Sequence, residues 1–514
     1  MNDEAPALHT SNRPLLTLGV MAATIMQILD STIANVALPH MQASLGATAD
    51  TVTWVLTSYI VASAVAIPLT GWLSDRVGSR NLFLGAVVGF VIASMLCGLA
   101  TSLPEMVVFR VLQGIAAAFM NPLSQTVMMD INPKSKQASA MSIWGMGVMV
   151  GPILGPVIGG WLTDYYDWRW CFYVNVPVGI GCFAILWALL PGRGITRRRF
   201  DLFGFASLAV AISVFQLMLD RGQTQDWFSS WEVWIEGMVA LAATWMFVVH
   251  LFLADHPMFD RSLFANRNLI TGLGFMFVIG VLMTATLALL PPMLQSLYNY
   301  PVLTIGLLLM PRGIGIVASM WIAGRLMQRN VDPRIMVGLG LSIAAYSLWE
   351  MTGWNLQMGS MPFIVTGVVQ GVGLGLIFIP LNVMAFATLS PMKRTDGASL
   401  MNLSRNIGGS VGISVVTALL ARNVQISHEV LGGHLTTGVI GGADPVVSSA
   451  VGGTTDQALM LADALINKQA AMIAYIDDFK LMMILTLAAL PLVLVLKRPR
   501  GAAPVAAAAD AMGH

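Results

Sequence analysis

The chain is expected to be an all-α polytopic membrane protein with fourteen transmembrane helices: two six-helix parallel repeats and two extra central helices. Three observations predict this. Of 514 residues, 56% are hydrophobic and only 10% are charged, with a mean hydropathy of +0.75; a soluble domain carries about 25% charged residues. Fourteen apolar runs punctuate the chain, most near the ~20 residues that a bilayer crossing takes. Short patterns in the first part of the chain recur in the last part at a near-constant offset.

The runs occupy 15–38, 52–73, 82–101, 104–126, 140–163, 171–190, 203–219, 233–253, 269–292, 303–325, 335–353, 361–386, 402–421 and 479–497. The first is too long for a signal-peptide core and no small-residue cleavage site follows it, so it is expected to stay in the mature protein. An even number of spans puts both termini on one side. Most of the 27 Lys and Arg fall in the termini and the even-numbered loops, including Arg76, Arg80, Lys134, Lys136, Arg193, Arg197, Arg198 and Arg199. By the positive-inside rule, both ends are cytoplasmic. That divides the chain into a cytoplasmic N-terminus (1–14), a first six-helix bundle (15–190), two linker helices (203–253) and a second bundle (269–497). Within the second bundle, 422–478 reads as one long periplasmic loop; 501–514 reads as a disordered, Ala-rich cytoplasmic tail.

An internal repeat lies beneath this map. A shift of 257 residues aligns Val111-Leu112-Gln113-Gly114 with Val368-Val369-Gln370-Gly371, and Gly151 and Gly155 with Gly408 and Gly412. Parallel repeats of this kind are a transporter signature, with the site at the repeat interface near the bilayer midplane. Net charge of +1, sorted by loop, gives no basic patch and no nucleic-acid partner. Cys97, Cys171 and Cys182 lack CxxC spacing and read as small core residues, with no metal site among them.

One carboxylate, Asp30, lies well inside the first run. Thr24, Gln27, Asp30, Ser31, Ala34 and Asn35 share a helical face with small and polar character. An intramembrane acid marks a functional site by default. Arg110 in the fourth run stays charged and needs an acceptor. Gly147, Gly151, Gly155 and Gly159 form a flat ridge that lets helix backbones approach closely. Asn121, Gln125, Gln370, Asn382, Asn402, Arg405 and Asn406 either line a cavity or hydrogen-bond between helices; Arg405 can also snorkel.

Several stretches resemble those of the major facilitator superfamily. Gly71-Trp72-Leu73-Ser74-Asp75-Arg76-Val77-Gly78-Ser79-Arg80 resembles its motif A, Arg110-Val111-Leu112-Gln113-Gly114 its motif B, and Gly151-Pro152-Ile153-Leu154-Gly155-Pro156-Val157-Ile158-Gly159-Gly160 its antiporter motif C. Leu29 to Pro39, and Trp168-Arg169-Trp170 with Asn175-Val176-Pro177, are similar to fourteen-span drug:proton antiporters. Met218-Leu219-Asp220-Arg221-Gly222 followed by Asp226-Trp227-Phe228-Ser229-Ser230 narrows the likeness to EmrB-type multidrug efflux proteins of the EmrB/QacA family.

The resemblance implies the major facilitator fold and a proton-coupled antiporter of the cell inner membrane. It places Asp30 near Arg110, with Gln113 in support, as the proton-coupling group. Burial favours a protonated carboxyl and a nearby guanidinium favours the charged form, so moving either partner loads or releases a proton. A potential of about 100 mV supplies about 2.3 kcal/mol per charge, roughly fortyfold accumulation. Asp75 is expected either to cap the following helix or to pair with a basic residue as a latch; the loop also reads as a plain charged turn. An EmrA-type periplasmic adaptor and a TolC-type outer-membrane channel are implied as partners, with lipophilic compounds as substrates; Arg312 in the tenth run, with no carboxylate beyond Asp30 deep in a run, points to neutral or weakly acidic ones. A transporter for one metabolite or siderophore-like compound is the alternative. No cofactor is implied, and no HExxH, GxSxG or P-loop suggests an enzyme.

Overall fold

The computed structural model describes residues 8–192, 194–195, 199–329, 331–433 and 455–497. Each of the fourteen apolar runs is helical over most of its length. They are α1 (Arg13–Ser44), α2 (Trp54–Ala66, resuming as Leu69–Val77), α3 (Ser79–Leu99), α4 (Leu103–Asp130), α5 (Gln137–Tyr165), α6 (Asn175–Leu189), α7 (Leu202–Arg221), α8 (Trp231–Leu253), α9 (Arg267–Ser296), α10 (Val302–Gln328), α11 (Pro333–Met351), α12 (Met361–Ala387), α13 (Arg394–Gly433) and α14 (Thr455–Ala489). In hydrocarbon every backbone polar group must be satisfied within the protein, which restricts spanning segments to helices or closed barrels.

Local chemistry sets the ends. Asn12, Asp201, Ser230, Asn266 and Asp332 cap α1, α7, α8, α9 and α11 by accepting from backbone N–H groups of the first turn. The two parts of α2 meet at 60° around Ile67-Pro68, where proline removes a donor. Thr70 Oγ1 donates to Ile67 O at 2.6 Å beside the break. Gly78 joins α2 to α3 at φ 86°, a conformation glycine alone adopts without strain.

Two bundles repeat one packing scheme. In the first, α1 lies on α5 and α6, and α4 on α2 and α3; in the second, α9 lies on α13, and α12 on α10 and α11. The bundles meet through α5 against α10 and α12, and α4 and α2 against α13. Between them in sequence, α7 and α8 form a hairpin whose first helix packs on α2 and α13. Its second helix exposes Trp231, Trp234, Met238, Leu241 and Trp245, a lipid-facing surface.

The expected loop 422–478 needs correcting. Helix α13 runs on to Gly433 and α14 begins at Thr455, so the flanks of that segment are helical. His428 and Asp463 pair across these extensions at 3.0 Å. Such polar helix ends lack the apolar run by which spans are recognised. Arg193, Arg197, Arg198, residues 1–7 and the 501–514 tail lie outside the described residues.

Candidate functional site

Asp30 sits on the buried side of α1, 1% exposed. Three donors converge on its carboxylate. Arg110 Nη1 reaches Oδ2 at 2.8 Å, Gln113 Nε2 reaches Oδ1 at 2.9 Å, and Asn175 Nδ2 reaches Oδ1 at 2.7 Å. Three donors facing one carboxyl group match the ionised acid, which can only accept. Arg110 and Gln113 lie one turn apart on α4, so one helix face supplies both.

The guanidinium is held as firmly as the acid. Arg110 Nε donates to Val55 O at 3.0 Å and Nη1 to Gln113 Oε1 at 2.7 Å. The Tyr59 ring centroid lies 4.2 Å and the Phe172 ring centroid 5.7 Å from it, so two aromatic π-systems sit beside the cation. Its Nη2 is buried without an acceptor. Ser94 Oγ accepts from Asn175 at 2.9 Å and donates to Phe172 O at 2.9 Å, which fixes the asparagine. Asn175 is the member the sequence did not single out by role; an amide within the apolar run 171–190 was the available signal.

The face of α1 next to Asp30 carries the glycine ridge of α5. A Cβ on Gly151 would lie 2.6 Å from Ile28 Cγ2, on Gly155 2.1 Å from Thr32 Oγ1, and on Gly159 3.4 Å from Ile33. Thr32 Oγ1 also donates to Gly151 O at 3.2 Å. Gly160 has nothing within 4 Å and takes no part in this contact. Pro152 and Pro156 lie within the continuous helix. On its other side α5 meets the second bundle: Ser142 Oγ donates to Met320 O at 2.6 Å, and Ile153 packs where a Gly313 side chain would stand.

The second bundle repeats the frame and changes the charges. Gly408 and Gly412 of α13 press on Phe277 and Val281 of α9, as Gly151 and Gly155 press on Ile28 and Thr32. Midway between, the place of Asp30 is taken by Ile279, 1% exposed. Gly371 meets Arg312 O as Gly114 meets Tyr59 O. Arg312 thus stands where the first bundle has Tyr59, and Gly367 where it has Arg110. Arg312 is 6% exposed with Nε unpartnered, and no acid pairs with it among the described residues. Gln370 Nε2 reaches Thr286 Oγ1 at 3.4 Å while its Oε1 is unpartnered.

A polar chain crosses between the bundles. Asn402 Nδ2 donates to Gln125 Oε1 at 2.9 Å, Gln125 Nε2 to Asn382 Oδ1 at 3.4 Å, and Arg405 Nη2 to Asn402 Oδ1 at 3.3 Å. Phe378, Met276 and Met401 line the same small void. Arg405 therefore reaches toward the partner bundle; it does not snorkel. Other expected cavity residues stand apart. Gln27 Oε1 and Asn121 Oδ1 are buried and unpartnered, Ser31 Oγ donates to Ile28 O, Asn35 is exposed, and Asn406 O accepts from Ser410.

At the end where α4 finishes and α13 starts, Asp130 and Arg394 form a buried ion pair at 2.7 Å between bundles. A Cβ on Gly71 would lie 1.5 Å from Asp396 Oδ1, so α2 touches α13 there only because residue 71 is glycine. Asp75 lies near the end of α2, three residues before Gly78, the N-cap residue of α3. It lines a cavity of about 810 Å³ with Arg199, Asp260, Arg261, Lys393 and Asp396. Arg80 Nη2 donates to Trp187 O at 2.6 Å, and Arg76 lies over the Trp72 ring.

Residues 20–413 match the family model described as Major Facilitator Superfamily. The chain is 37% identical to the multidrug export protein EmrB of Haemophilus influenzae, over 82% of this chain and 83% of that one. It is 36% identical to EmrB of Escherichia coli strain K12, over 84% of each. It is 38% identical to the fatty acid resistance protein FarB of Neisseria gonorrhoeae, over 84% and 85%. The solved human organic anion transporter MFSD10 superposes with a TM-score of 0.59 at 14% identity, covering 92% of this chain and 99% of that one, a likeness of fold. With its buried Asp30–Arg110 pair, its glycine ridge and its repeated bundles, the chain belongs to the Major Facilitator Superfamily, in the branch of the EmrB-type transporters.

Proposed function

We propose that this protein exports lipophilic and amphipathic toxic compounds from the cytoplasm by alternating access, in exchange for protons bound at Asp30. The observation that carries the reading is the Asp30–Arg110 pair, fully buried and completed by Gln113 and Asn175. Protonating Asp30 removes the negative charge that matches the guanidinium. A buried charge without its partner is strongly unfavourable, so Arg110 must then find another acceptor or the helices must shift.

A mechanical route supports the coupling. Asp30 is flanked on α1 by the residues that seat the α5 ridge, and α5 packs on α10 of the second bundle. A shift of α1 relative to α4 and α6 therefore reaches the boundary between bundles within one helix. The Asp130–Arg394 pair and the Gly71–Asp396 approach close the pathway at their end of the molecule. With both termini cytoplasmic, as the loop charges favour, this is a closed inner gate. Protons then load Asp30 from outside and leave inside, opposite to the substrate.

Arg312 and Arg405, neither with an acid paired to it among the described residues, favour neutral and weakly acidic lipophilic substrates over dications. The relatives' names, multidrug export and fatty acid resistance, agree with that class. By family, the protein works in the inner membrane with an EmrA-type adaptor and a TolC-type channel, and it carries out no covalent chemistry. Everted membrane vesicles given an imposed inward-acid pH gradient test the reading: wild type is expected to accumulate a lipophilic dye such as Nile red and Asp30→Asn to lose that accumulation. Accumulation unaffected by collapsing the gradient would contradict proton exchange.

A further inference from the structure

Helix α14 continues outward well beyond its apolar run, so Asp478 stands inside the helix and not in a loop. The side chain is 0% exposed, and neither Oδ1 nor Oδ2 has a hydrogen-bond partner. One residue earlier, Asp477 points the other way and pairs with Lys480 at 3.0 Å in a half-exposed position. That surface pair marks where the helix meets water and headgroups, because charged side chains in a span keep their ends at the interface. Asp478 is turned inward at the same level.

Its surroundings offer no compensation. Helices α9, α11 and α13 pack on α14, and among the described residues none of them pairs a cation with Asp478. Among the described residues the charge beside it is the like charge of Asp477, and Tyr475 on the same helix is a further titratable neighbour. Next to it, Phe479 packs edge-on against Trp354 at 5.4 Å, and Trp354 against Phe363 at 4.8 Å, closing the site toward the α11–α12 turn. An ionised carboxylate with no donor is not stable in such a place; the neutral acid is. Asp30 is the opposite case, with three donors and a guanidinium.

We propose that Asp478 is a second proton-binding site of the transporter, held as a neutral carboxylic acid in this conformation and loaded from the outer side of the membrane. The inference rests on the exchange reading above. When the second bundle rearranges and water or a donor reaches the acid, its O–H bond breaks and the proton passes to water. The carboxylate left behind regains a proton when the outer side is exposed again. With Asp30, the cycle then moves two protons for each substrate molecule.

Two measurements on the full-length protein test this. Infrared difference spectra between H2O and D2O at neutral pH, in lipid nanodiscs, are expected to show a carboxylic-acid C=O band. That band is absent in Asp478→Asn and retained in Asp30→Asn. A band that survives Asp478→Asn overturns the proposal. In proteoliposomes exporting Nile red, the protons moved per dye are expected to fall by half in Asp478→Asn and to recover in Asp478→Glu. Asparagine mimics the neutral acid, so the variant retains the packing. An unchanged ratio beside a working wild type overturns this inference alone. A wild type that moves dye without protons overturns the exchange reading and this inference together.

Discussion

Asp130, the last residue of α4, and Arg394, the first of α13, form a buried ion pair at 2.7 Å that joins the two bundles at one end of the molecule. Leu8 N donates to Asp130 O at 2.9 Å, so the chain before α1 is tied to the same corner. Truncating one partner of a buried pair leaves an uncompensated charge, at a cost of about 3–5 kcal/mol. Arg394→Gln is therefore expected to populate the inward-open state. The readout is labelling of a cysteine placed in the central cavity by an impermeant thiol reagent applied from the cytoplasmic side. It should rise severalfold over wild type and fall back in the Arg394→Gln/Asp130→Asn double variant.

Glycines divide by what a side chain would strike. Gly155→Ala puts a methyl 2.1 Å from Thr32 Oγ1, whereas Gly160→Ala meets nothing within 4 Å. Overpacking a close contact costs about 1–3 kcal/mol. Thermal unfolding in detergent should show a lowered midpoint for Gly155→Ala and an unchanged one for Gly160→Ala, although both lie in motif C.

These contrasts show what the chain disclosed before its fold was known. The fourteen apolar runs, the bulk of each helix, the Gly78 turn and the Asp30–Arg110–Gln113 grouping were legible, because hydropathy and intramembrane charge are properties of single segments. Asp130 and Arg394 carry no such signal, since a pair between residues so far apart depends on how the bundles meet. Asp478 was missed because hydropathy cut the last span at 479, while the polar helix α14 continues outward. Arg405 was read as able to snorkel; its partner Asn402 is on its own helix, but the Gln125 it thereby joins is on another bundle.

Arg312 should set charge preference. It occupies the place equivalent to Tyr59 in the first bundle, and among the described residues no acid pairs with it. Arg312→Gln is expected to weaken export of lipophilic carboxylates severalfold while leaving neutral dyes near wild-type rates. Parallel assays of a fatty acid and Nile red in the same vesicles check this; equal losses for both would assign Arg312 to packing.

The surface pair Asp260–Lys393 borders the cavity beside Asp75, at 2.6 Å. The hydrogen bond from Lys393 holds the Asp260 carboxyl down at about 2. Because the folded-state value is depressed, the pair's contribution is present above the ordinary carboxylate range and is lost only as pH falls through about 2. Lys393→Met should therefore leave the pH profile of export near neutrality unshifted. A displaced profile would mean that this pair, and not Asp30, titrates in the working range.

The central claim is that Asp30 exchanges its proton as substrate binds, and proton release from purified protein tests it most directly. A lipophilic drug added in weakly buffered detergent solution should release from wild type a proton that Asp30→Asn does not release, with drug binding retained in both. Equal release from the two proteins would contradict the account and place the coupling acid elsewhere.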